Sequence, residues 1–154
     1  MDVRALRNAF GKFATGVTIV SFMDGTQIAG ITVNSFTSVS IDPPLLLVSI
    51  DKKARSHEGL LNKPFIVNVL AAGQEALAWQ FAGRPQLDLQ IDWEHSTIGP
   101  RLAGTLANFE CEPWNAYDGG DHTLIVGKVV SFLYRQGDAL GFFSGKFHEV
   151  ATPS

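Results

Sequence analysis

The chain of 154 residues contains a single cysteine, Cys111, and little basic charge. One thiol cannot form an intrachain disulfide, and a zinc site built from cysteines needs more than one. The formal net charge is −3 and the pI is near 5.7, so the chain lacks the positive field that nucleic acids select. These shortages exclude disulfide-stapled and zinc-finger domains and argue against a nucleic-acid-binding protein.

Long hydrophobic runs are also missing. No apolar run reaches the roughly eighteen residues that a membrane-spanning helix needs. No basic segment followed by an apolar stretch opens the chain, as a secretory leader would. We therefore expect a soluble cytoplasmic protein that binds neither nucleic acid nor membrane.

Several catalytic motifs are absent as well. There is no G-x-G-x-x-G stretch after a predicted strand and no G-x-S-x-G elbow. The segment 11–16 has P-loop glycine spacing, but Val17 stands where the phosphate-binding lysine belongs. The four histidines form no H-E-x-x-H pair, and we expect no metal site.

The residues that are present indicate one packed domain spanning residues 1–154. Hydrophobic residues make up 45% of the chain and charged residues 18%, which is typical of globular proteins. No internal repeat or linker interrupts the pattern. A chain of this length can bury one sizeable core.

The hydrophobic pattern predicts many short strands and few helices. Asp2 can cap an amphipathic helix that runs to Phe13, and a second helix is predicted for 74–81. The segment 86–99 is polar and is predicted to be a surface loop. Strands are predicted at 17–22, 27–32, 45–50, 65–70, 102–113, 124–134 and 140–143. Short strands separated by turn signals such as Asp24-Gly25 favour a closed or nearly closed antiparallel barrel.

Polar residues follow the second predicted strand, within the stretch 28–49. Small donors and acceptors placed at the end of an apolar strand suit a ligand that lies against a sheet. The alternative is a serine- and threonine-rich connection between strands. The polar residues are Thr32, Asn34, Ser35, Thr37, Ser38 and Ser40.

Three further stretches carry possible site residues. Segment 53–57 combines cations, a hydroxyl and loop N–H groups, which suit a phosphate, although a solvated turn would look the same. Segment 79–84 is a helix end running into Gly83, which is either a ligand contact or a plain C-cap. His122 lies on a glycine-rich turn before a strand, where it either reaches a ligand or pairs with Asp121.

These stretches together resemble the short-chain flavin reductases, the NAD(P)H:flavin oxidoreductase components of two-component flavin monooxygenases. The resemblance covers almost the whole chain in the same order, and its central pattern, T-x-N-S-F-x-S-V-S-x-D-P-P, is specific. The matching segments are 13–17, 30–40, 42–45, 65–70, 81–83, 120–123 and 126–127. The family fold implied is a mainly β, flavin-binding, Greek-key antiparallel split β-barrel with a few short flanking helices.

The resemblance also implies site residues. One group would line the isoalloxazine and ribityl chain, a second would hold the ribityl and phosphate end, and a third would flank the phosphate or the adenylate of FAD. His122 would face the nicotinamide as the catalytic residue. The three flavin-binding groups are, in that order, Thr32, Val33, Asn34 and Ser35; then Ser49, Ile50, Ala54, Arg55 and Ser56; then Phe81 and Ala82.

The function implied is hydride transfer from NADH or NADPH to FMN or FAD. The implied protein is a homodimer that passes reduced flavin to a separate oxygenase. Two alternatives remain open from the residues: a split-barrel flavin- or haem-binding carrier or sensor without NAD(P)H turnover, and a dimeric adaptor without cofactor. The segment 142–147 has phenylalanines where the family often has tyrosines, so stacking is retained there while hydroxyl hydrogen bonds are in doubt.

Overall fold

The largest unit of the computed structural model, which describes residues 1–154, is a seven-stranded antiparallel sheet. Neighbouring strands pair throughout this sheet in antiparallel register. In sheet order the strands are β3 (Gln27–Val33), β2 (Thr18–Asp24), β6 (Phe65–Val69), β9 (Ala107–Gly119), β10 (His122–Tyr134), β5 (Pro44–Asp51) and β4 (Thr37–Ile41).

The sheet curls around a single apolar cluster. In β5 the side chains alternate, and Leu46, Val48 and Ile50 point inward with exposures of 2% or less. Ile31 and Val33 of β3 pack against the same cluster, although β3 lies at the far side of the sheet. Strands from both sides of the sheet therefore share one core.

A side chain bridges the two sides where they approach. Ser35 follows β3, and its hydroxyl donates to the carbonyl oxygen of Ser49 in β5 at 3.0 Å. The Ser35 hydroxyl oxygen in turn accepts from the Ser49 N–H at 2.9 Å. No strand ladder joins β3 to β5, so the barrel is split along this line. The predicted mainly β split-barrel fold is confirmed.

The remaining elements cover one end of this sheet. Several of them pack around a second apolar cluster that includes Val17, Leu70, Ala78 and Leu140, whereas Leu60 belongs to the first cluster. The smaller sheets are β1 (Thr15–Gly16), β11 (Ala139–Phe143) and β12 (Lys146–Val150), and the pair β7 (Trp93–His95) and β8 (Pro100–Leu102). The helices are α1 (Val3–Phe10), α2 (His57–Leu60) and α3 (Glu75–Gln80), with a 3₁₀ turn at Ala72–Gln74.

The first helix is shorter than predicted and its apolar side is uncovered. Its N-terminus lies where the sequence places it, because the Asp2 carboxylate accepts the Ala5 N–H at 3.1 Å. Phe10 and Phe13, however, are 71% and 78% exposed. Nothing in a single chain covers this face. None of the helices is both long and apolar enough to cross a membrane.

Candidate active site

A cavity of about 710 Å³ opens between β3, the segment before α2 and the end of α3. Its size falls within the range of about 300–1,000 Å³ that is typical of small-molecule sites. Its lining combines backbone, small polar side chains and a cation. The lining residues are Gly30, Ile31, Thr32, Ala54, Arg55, Ser56, Gln80, Phe81, Ala82, Gly83 and Pro85.

One end of this cavity has the donors that a phosphate needs. The N–H groups of Arg55 and Ser56 have no acceptor within the chain, although their neighbours Ala54 and His57 both donate to backbone carbonyls. The Arg55 guanidinium and the Ser56 hydroxyl lie on the same short loop. Hydrogen bonds to an ionised phosphate are stronger than neutral ones, and Arg can bind it through two N–H groups. This loop therefore has the donors that could hold an anion, and we call it the anion cradle.

The neighbouring residues of the predicted phosphate segment have other roles. His57 is buried at 5% exposure, where its Nε2 lies 2.8 Å from the Thr123 hydroxyl and its Nδ1 lies 3.0 Å from a Glu58 oxygen. Lys52 pairs with Asp118, and this hydrogen bond and positive charge lower the pKa of the Asp118 carboxyl. His57 therefore links this loop to β10 through Thr123, and neither His57 nor Lys52 is part of the cradle.

A second cavity of about 240 Å³ adjoins the first and shares Thr32 and Ala82 with it. We call these two cavities together the groove. Aromatic rings form its apolar wall: Trp79 and Phe147 meet edge to face with centroids 5.0 Å apart. Flat rings prefer to stack against walls of this kind. The lining residues are Val17, Thr32, Val33, Asn34, Trp79, Ala82, Phe142, Gly145 and Phe147.

Helix α3 is held on β3 by hydrogen bonds that fix the floor between the two cavities. The Thr32 hydroxyl donates to the Ala78 carbonyl at 2.7 Å, and the Thr32 N–H donates to the Phe81 carbonyl at 3.1 Å. Gly30 lets the Phe81 ring lie directly on the strand, because a Cβ there would be 2.7 Å from a ring carbon. Thr32 therefore positions the helix as well as lining the groove.

Free backbone donors also occur beside the apolar cavity. The N–H groups of Asn34 and Ser35, just after β3, have no acceptor within the chain. The Ser35 hydroxyl is already used by Ser49. What these residues can offer a ligand is therefore backbone N–H and the Asn34 amide.

The predicted histidine lies outside the linings of these two cavities. The His122 ring is 39% exposed, and its Nδ1 lies 2.8 Å from an Asp121 oxygen. This hydrogen bond, and the charge of the histidine when it is protonated, lower the pKa of the Asp121 carboxyl. The pairing with Asp121 that the sequence left open is thus observed, and it fixes the orientation of the ring. Contact of His122 with nicotinamide stays a prediction.

The groove brings together most of the predicted cofactor-binding residues, but not all. Ser35, Ser49 and Ile50 do not line it, and the Ile50 side chain has no exposed surface because it packs into the core. Val17 and Pro85 also line the groove and were not predicted as site residues, because their contribution depends on long-range packing. The residues that do line the groove are Thr32, Val33, Asn34, Ala54, Arg55, Ser56, Phe81 and Ala82.

The arrangement fits a flavin mononucleotide unit. An anion cradle at one end suits the phosphate, and an apolar, aromatic section with backbone donors beside it suits a flat heterocycle. No group of three or more acidic, histidine or cysteine side chains is arranged to hold a metal ion. Fold and groove together define a nucleotide-binding split-barrel protein.

Comparison with known proteins identifies the family. The chain belongs to the flavin reductases, since residues 10–151 match the family model described as flavin reductase like domain. It is 44% identical over 146 residues to the FMN reductase (NADH) SmoA of Agrobacterium fabrum, a match that covers 94% of this chain and 84% of the relative. The NADH-dependent FAD reductase of Streptomyces globisporus is 40% identical over 95% of this chain and 85% of its own. The predicted family is confirmed.

Solved structures agree with this assignment. The flavin reductase PheA2 in its native state superposes with a TM-score of 0.94 at 40% identity, covering 99% of this chain and 100% of its own. The NADH:FAD oxidoreductase SgcE6 of Streptomyces globisporus, in complex with NAD and FAD fragments, has a TM-score of 0.89 at 40% identity, covering 97% and 93%.

Proposed function

We propose that this protein is an NAD(P)H-dependent flavin reductase that uses NADH or NADPH to reduce FMN or FAD. The observation that carries the proposal is the Arg55–Ser56 anion cradle, which opens directly onto an apolar aromatic cavity. The phosphate of a flavin nucleotide would be held by Ala54, Arg55 and Ser56, and its ring system by Thr32, Val33 and Asn34. Phe81 and Ala82 would flank the phosphate or, for FAD, the adenylate; Phe81 lines the first cavity and Ala82 lines both.

The chemistry that the bound groups supply is transfer of a hydride, two electrons with one proton, from nicotinamide C4 to flavin N5. The protein would contribute orientation, because Trp79, Phe142 and Phe147 would confine the two rings and leave them little further freedom to lose on reaction. Backbone N–H groups of Asn34 and Ser35, which have no acceptor within the chain, would stabilise negative charge at a ring edge. His122 would position the nicotinamide and need not donate a proton.

The names of relatives support a separate oxygenase as the acceptor of reduced flavin. One relative, 40% identical to this chain, is the reductase component of a flavin-dependent trigonelline monooxygenase from Acinetobacter baylyi. Another structural neighbour is BorF, the flavin reductase component of a two-component tryptophan halogenase. We infer that this chain likewise supplies reduced flavin to an oxygenase. It would do so in the cytoplasm, where nicotinamide nucleotides are supplied.

The first experiment follows absorbance at 340 nm with purified protein, NADH or NADPH, and FMN, FAD or riboflavin in air. Fast oxidation that saturates with flavin supports the reductase and gives both nucleotide preferences. Tight flavin binding without oxidation would instead favour the carrier or sensor. Neither binding nor oxidation would favour the adaptor, and both of these results contradict the proposal.

The role of His122 is tested by His122→Ala. We expect the KM for NADH to rise about tenfold while the Kd for oxidised FMN changes less than about twofold, because the ring lines neither of the two cavities that would hold the flavin. His95→Ala, at an exposed position on β7, is the matched control. An equal loss of flavin and NADH binding would contradict the assignment of His122 to the nicotinamide.

We also propose that the protein is a homodimer with one domain per chain. The support is the exposed apolar surface: α1 presents Val3 and Phe10, and the end of β10 presents Phe132 and Tyr134, all at least 57% exposed. Exposed apolar side chains in such number mark association surfaces.

A further inference from the structure

The loop that carries the anion cradle is held against the end of the β9–β10 hairpin by three contacts. The Lys52 N–H donates to the Asp121 carbonyl at 2.9 Å, and the Lys52 ammonium pairs with Asp118. In the third contact, His57 Nε2 lies 2.8 Å from the Thr123 hydroxyl. None of these residues lines the groove. The position of the cradle is therefore fixed by side chains that lie outside it.

The contact between His57 and Thr123 is the buried one of the three. The side chains of Lys52 and Asp118 are 40% and 80% exposed, so water competes with their ion pair. His57 and Thr123 are only 5% and 9% exposed. A buried group that loses its hydrogen-bond partner finds no water to replace it. We therefore expect this bond to hold the loop more firmly than the exposed ion pair does.

Both nitrogen atoms of the His57 ring are occupied. Nδ1 lies 3.0 Å from a carboxylate oxygen of Glu58, and a carboxylate can only accept, so Nδ1 carries a proton. In the neutral ring Nε2 is then an acceptor, and the Thr123 hydroxyl donates to it. The two hydrogen bonds fix the tautomer and the orientation of the ring.

The backbone of His57 closes the turn that forms the cradle. Its N–H donates to the Ala54 carbonyl at 3.1 Å, and the N–H groups of Arg55 and Ser56 between them have no acceptor. The same residue thus shapes the turn with its backbone and anchors it to β10 with its ring. Donors that are held in place before the ligand arrives bind it more tightly, because less freedom is lost on binding.

We propose that His57 is a positioning residue that, through Thr123, makes the protein selective for phosphorylated flavins over riboflavin. This inference rests on the proposed reductase function. The ring does not line the groove; it holds the turn in the shape that leaves the Arg55 and Ser56 N–H groups free. FMN and FAD carry a phosphate on the ribityl chain and riboflavin does not, so only the phosphorylated flavins depend on this turn.

The test compares the Kd of oxidised FMN with the Kd of riboflavin, both measured by flavin fluorescence. The primary variant is Thr123→Val, which removes the hydroxyl and nearly keeps the shape of the side chain. We expect its Kd for FMN to rise about tenfold, as when one hydrogen bond to a charged group is lost, and its Kd for riboflavin to change less than about twofold. Thr123→Ser, which keeps a hydroxyl, should bind FMN within about threefold of wild type.

Two substitutions of His57 separate the contacts of its ring. In His57→Gln the side-chain amide reaches the position of Nε2 and can accept from Thr123, whereas in His57→Asn it reaches only the position of Nδ1. We expect His57→Gln to keep FMN affinity within about threefold of wild type and His57→Asn to lose about tenfold, with little change for riboflavin in either.

The matched control is Thr105→Val, which makes the same substitution at a threonine that is also buried, at 7% exposure, but lies outside the groove. Its ratio of the two Kd values should equal that of wild type. Thermal unfolding of every variant checks that the fold is retained. Because Thr123→Val leaves the ring of His57 in place, it tests the inference even where a substitution of His57 does not fold.

Three results overturn the inference. They are an unchanged FMN affinity in Thr123→Val, an equal loss of FMN and riboflavin affinity in that variant, and a wild type that binds the two flavins equally well. The second result would mean that the bond only supports the fold. Failure of the proposed function has a different signature: no oxidation of NADH or NADPH at 340 nm by wild type with any flavin, whatever the two Kd values are.

Discussion

At the residue scale, Cys111 shows how burial determines the chemistry of a side chain. Its side chain lies in the core beside Gly127, where a Cβ would be 2.6 Å from the Phe65 ring and 2.8 Å from the Cys111 Cβ. Burial, with a smaller contribution from the charge of Glu110, raises the pKa of the Cys111 thiol from 9.0 to about 12. The nucleophilic thiolate is therefore absent at neutral pH.

We predict that Cys111 does not react with a disulfide reagent such as DTNB in the native protein at pH 8, and reacts fully on unfolding. The folded state holds the thiol proton more tightly, so this group stabilises folding below pH 9 and its contribution is lost as pH rises from about 9 towards 12. Unfolding midpoints measured across that range test the sign. Rapid native labelling would contradict the burial.

Asn68 is the centre of a buried polar network. Its amide nitrogen donates to the Ile19 carbonyl at 2.8 Å and to the Ser21 hydroxyl at 2.9 Å. Its oxygen accepts from the Leu102 N–H at 2.9 Å and from the Asn108 amide at 2.8 Å. These bonds join β2, β6, β8 and β9.

Asn68→Ala is expected to lower the free energy of unfolding by about 3 kcal/mol or more, because several buried groups lose their partners together. Urea unfolding with an unchanged m-value measures it. Asn115→Ala, on the exposed part of β9, should change stability by less than about 0.5 kcal/mol. An equal change in the free energy of unfolding in both variants would contradict a stabilising role of the Asn68 network.

At the element scale, the contact between β3 and α3 decides the width of the groove. Gly30→Ala would force the Phe81 ring away from the strand. We expect a loss of about 1–3 kcal/mol in stability and a clear rise in the KM for flavin. Gly73→Ala, where the added methyl meets open space, is the control. An unchanged flavin KM would mean that the position of the Phe81 ring is unimportant for binding.

The local sequence pattern predicted several of the strands correctly and missed others. Strands with β-branched, buried residues, such as β2 and β5, were predicted because their side chains face the core. Strands β4, β7 and β12 were missed because most of their side chains are exposed and only pairing with a distant or neighbouring strand defines them. Part of the polar stretch after β3 is therefore the edge strand β4, which was not predicted because its serine and threonine residues resemble those of a loop.

The predicted site shows the same division. Arg55 and Ser56 were predicted from chemistry that is adjacent in sequence, and both line the groove. Ser35 was expected at the ligand, but its hydroxyl joins the two sides of the barrel. Arg7 is exposed and also lines a cavity, which was not predicted because a single helix gives no sign that a hairpin from the end of the chain packs beside it.

At the scale of the whole molecule, we expect a dimer in solution by sedimentation velocity. Phe10→Glu combined with Phe13→Glu should shift it towards monomer, because charged groups cannot be buried without partners at an apolar contact. Arg4→Glu on the same helix is the control. A monomeric wild type would contradict the prediction, and a dimer that persists in the double variant would exclude this face of α1.

The bridge between Ser35 and Ser49 also has a dynamic consequence. Because only the Ser35 side chain hydrogen-bonds across the gap between β3 and β5, these two strands can separate locally without breaking a strand ladder. The amide hydrogen of Ser49 then reports each parting by exchanging with deuterium. Ser35→Ala should accelerate that exchange strongly while amides deep in β6 keep their protection. The barrel would then open locally between β3 and β5 while its other strands remain paired.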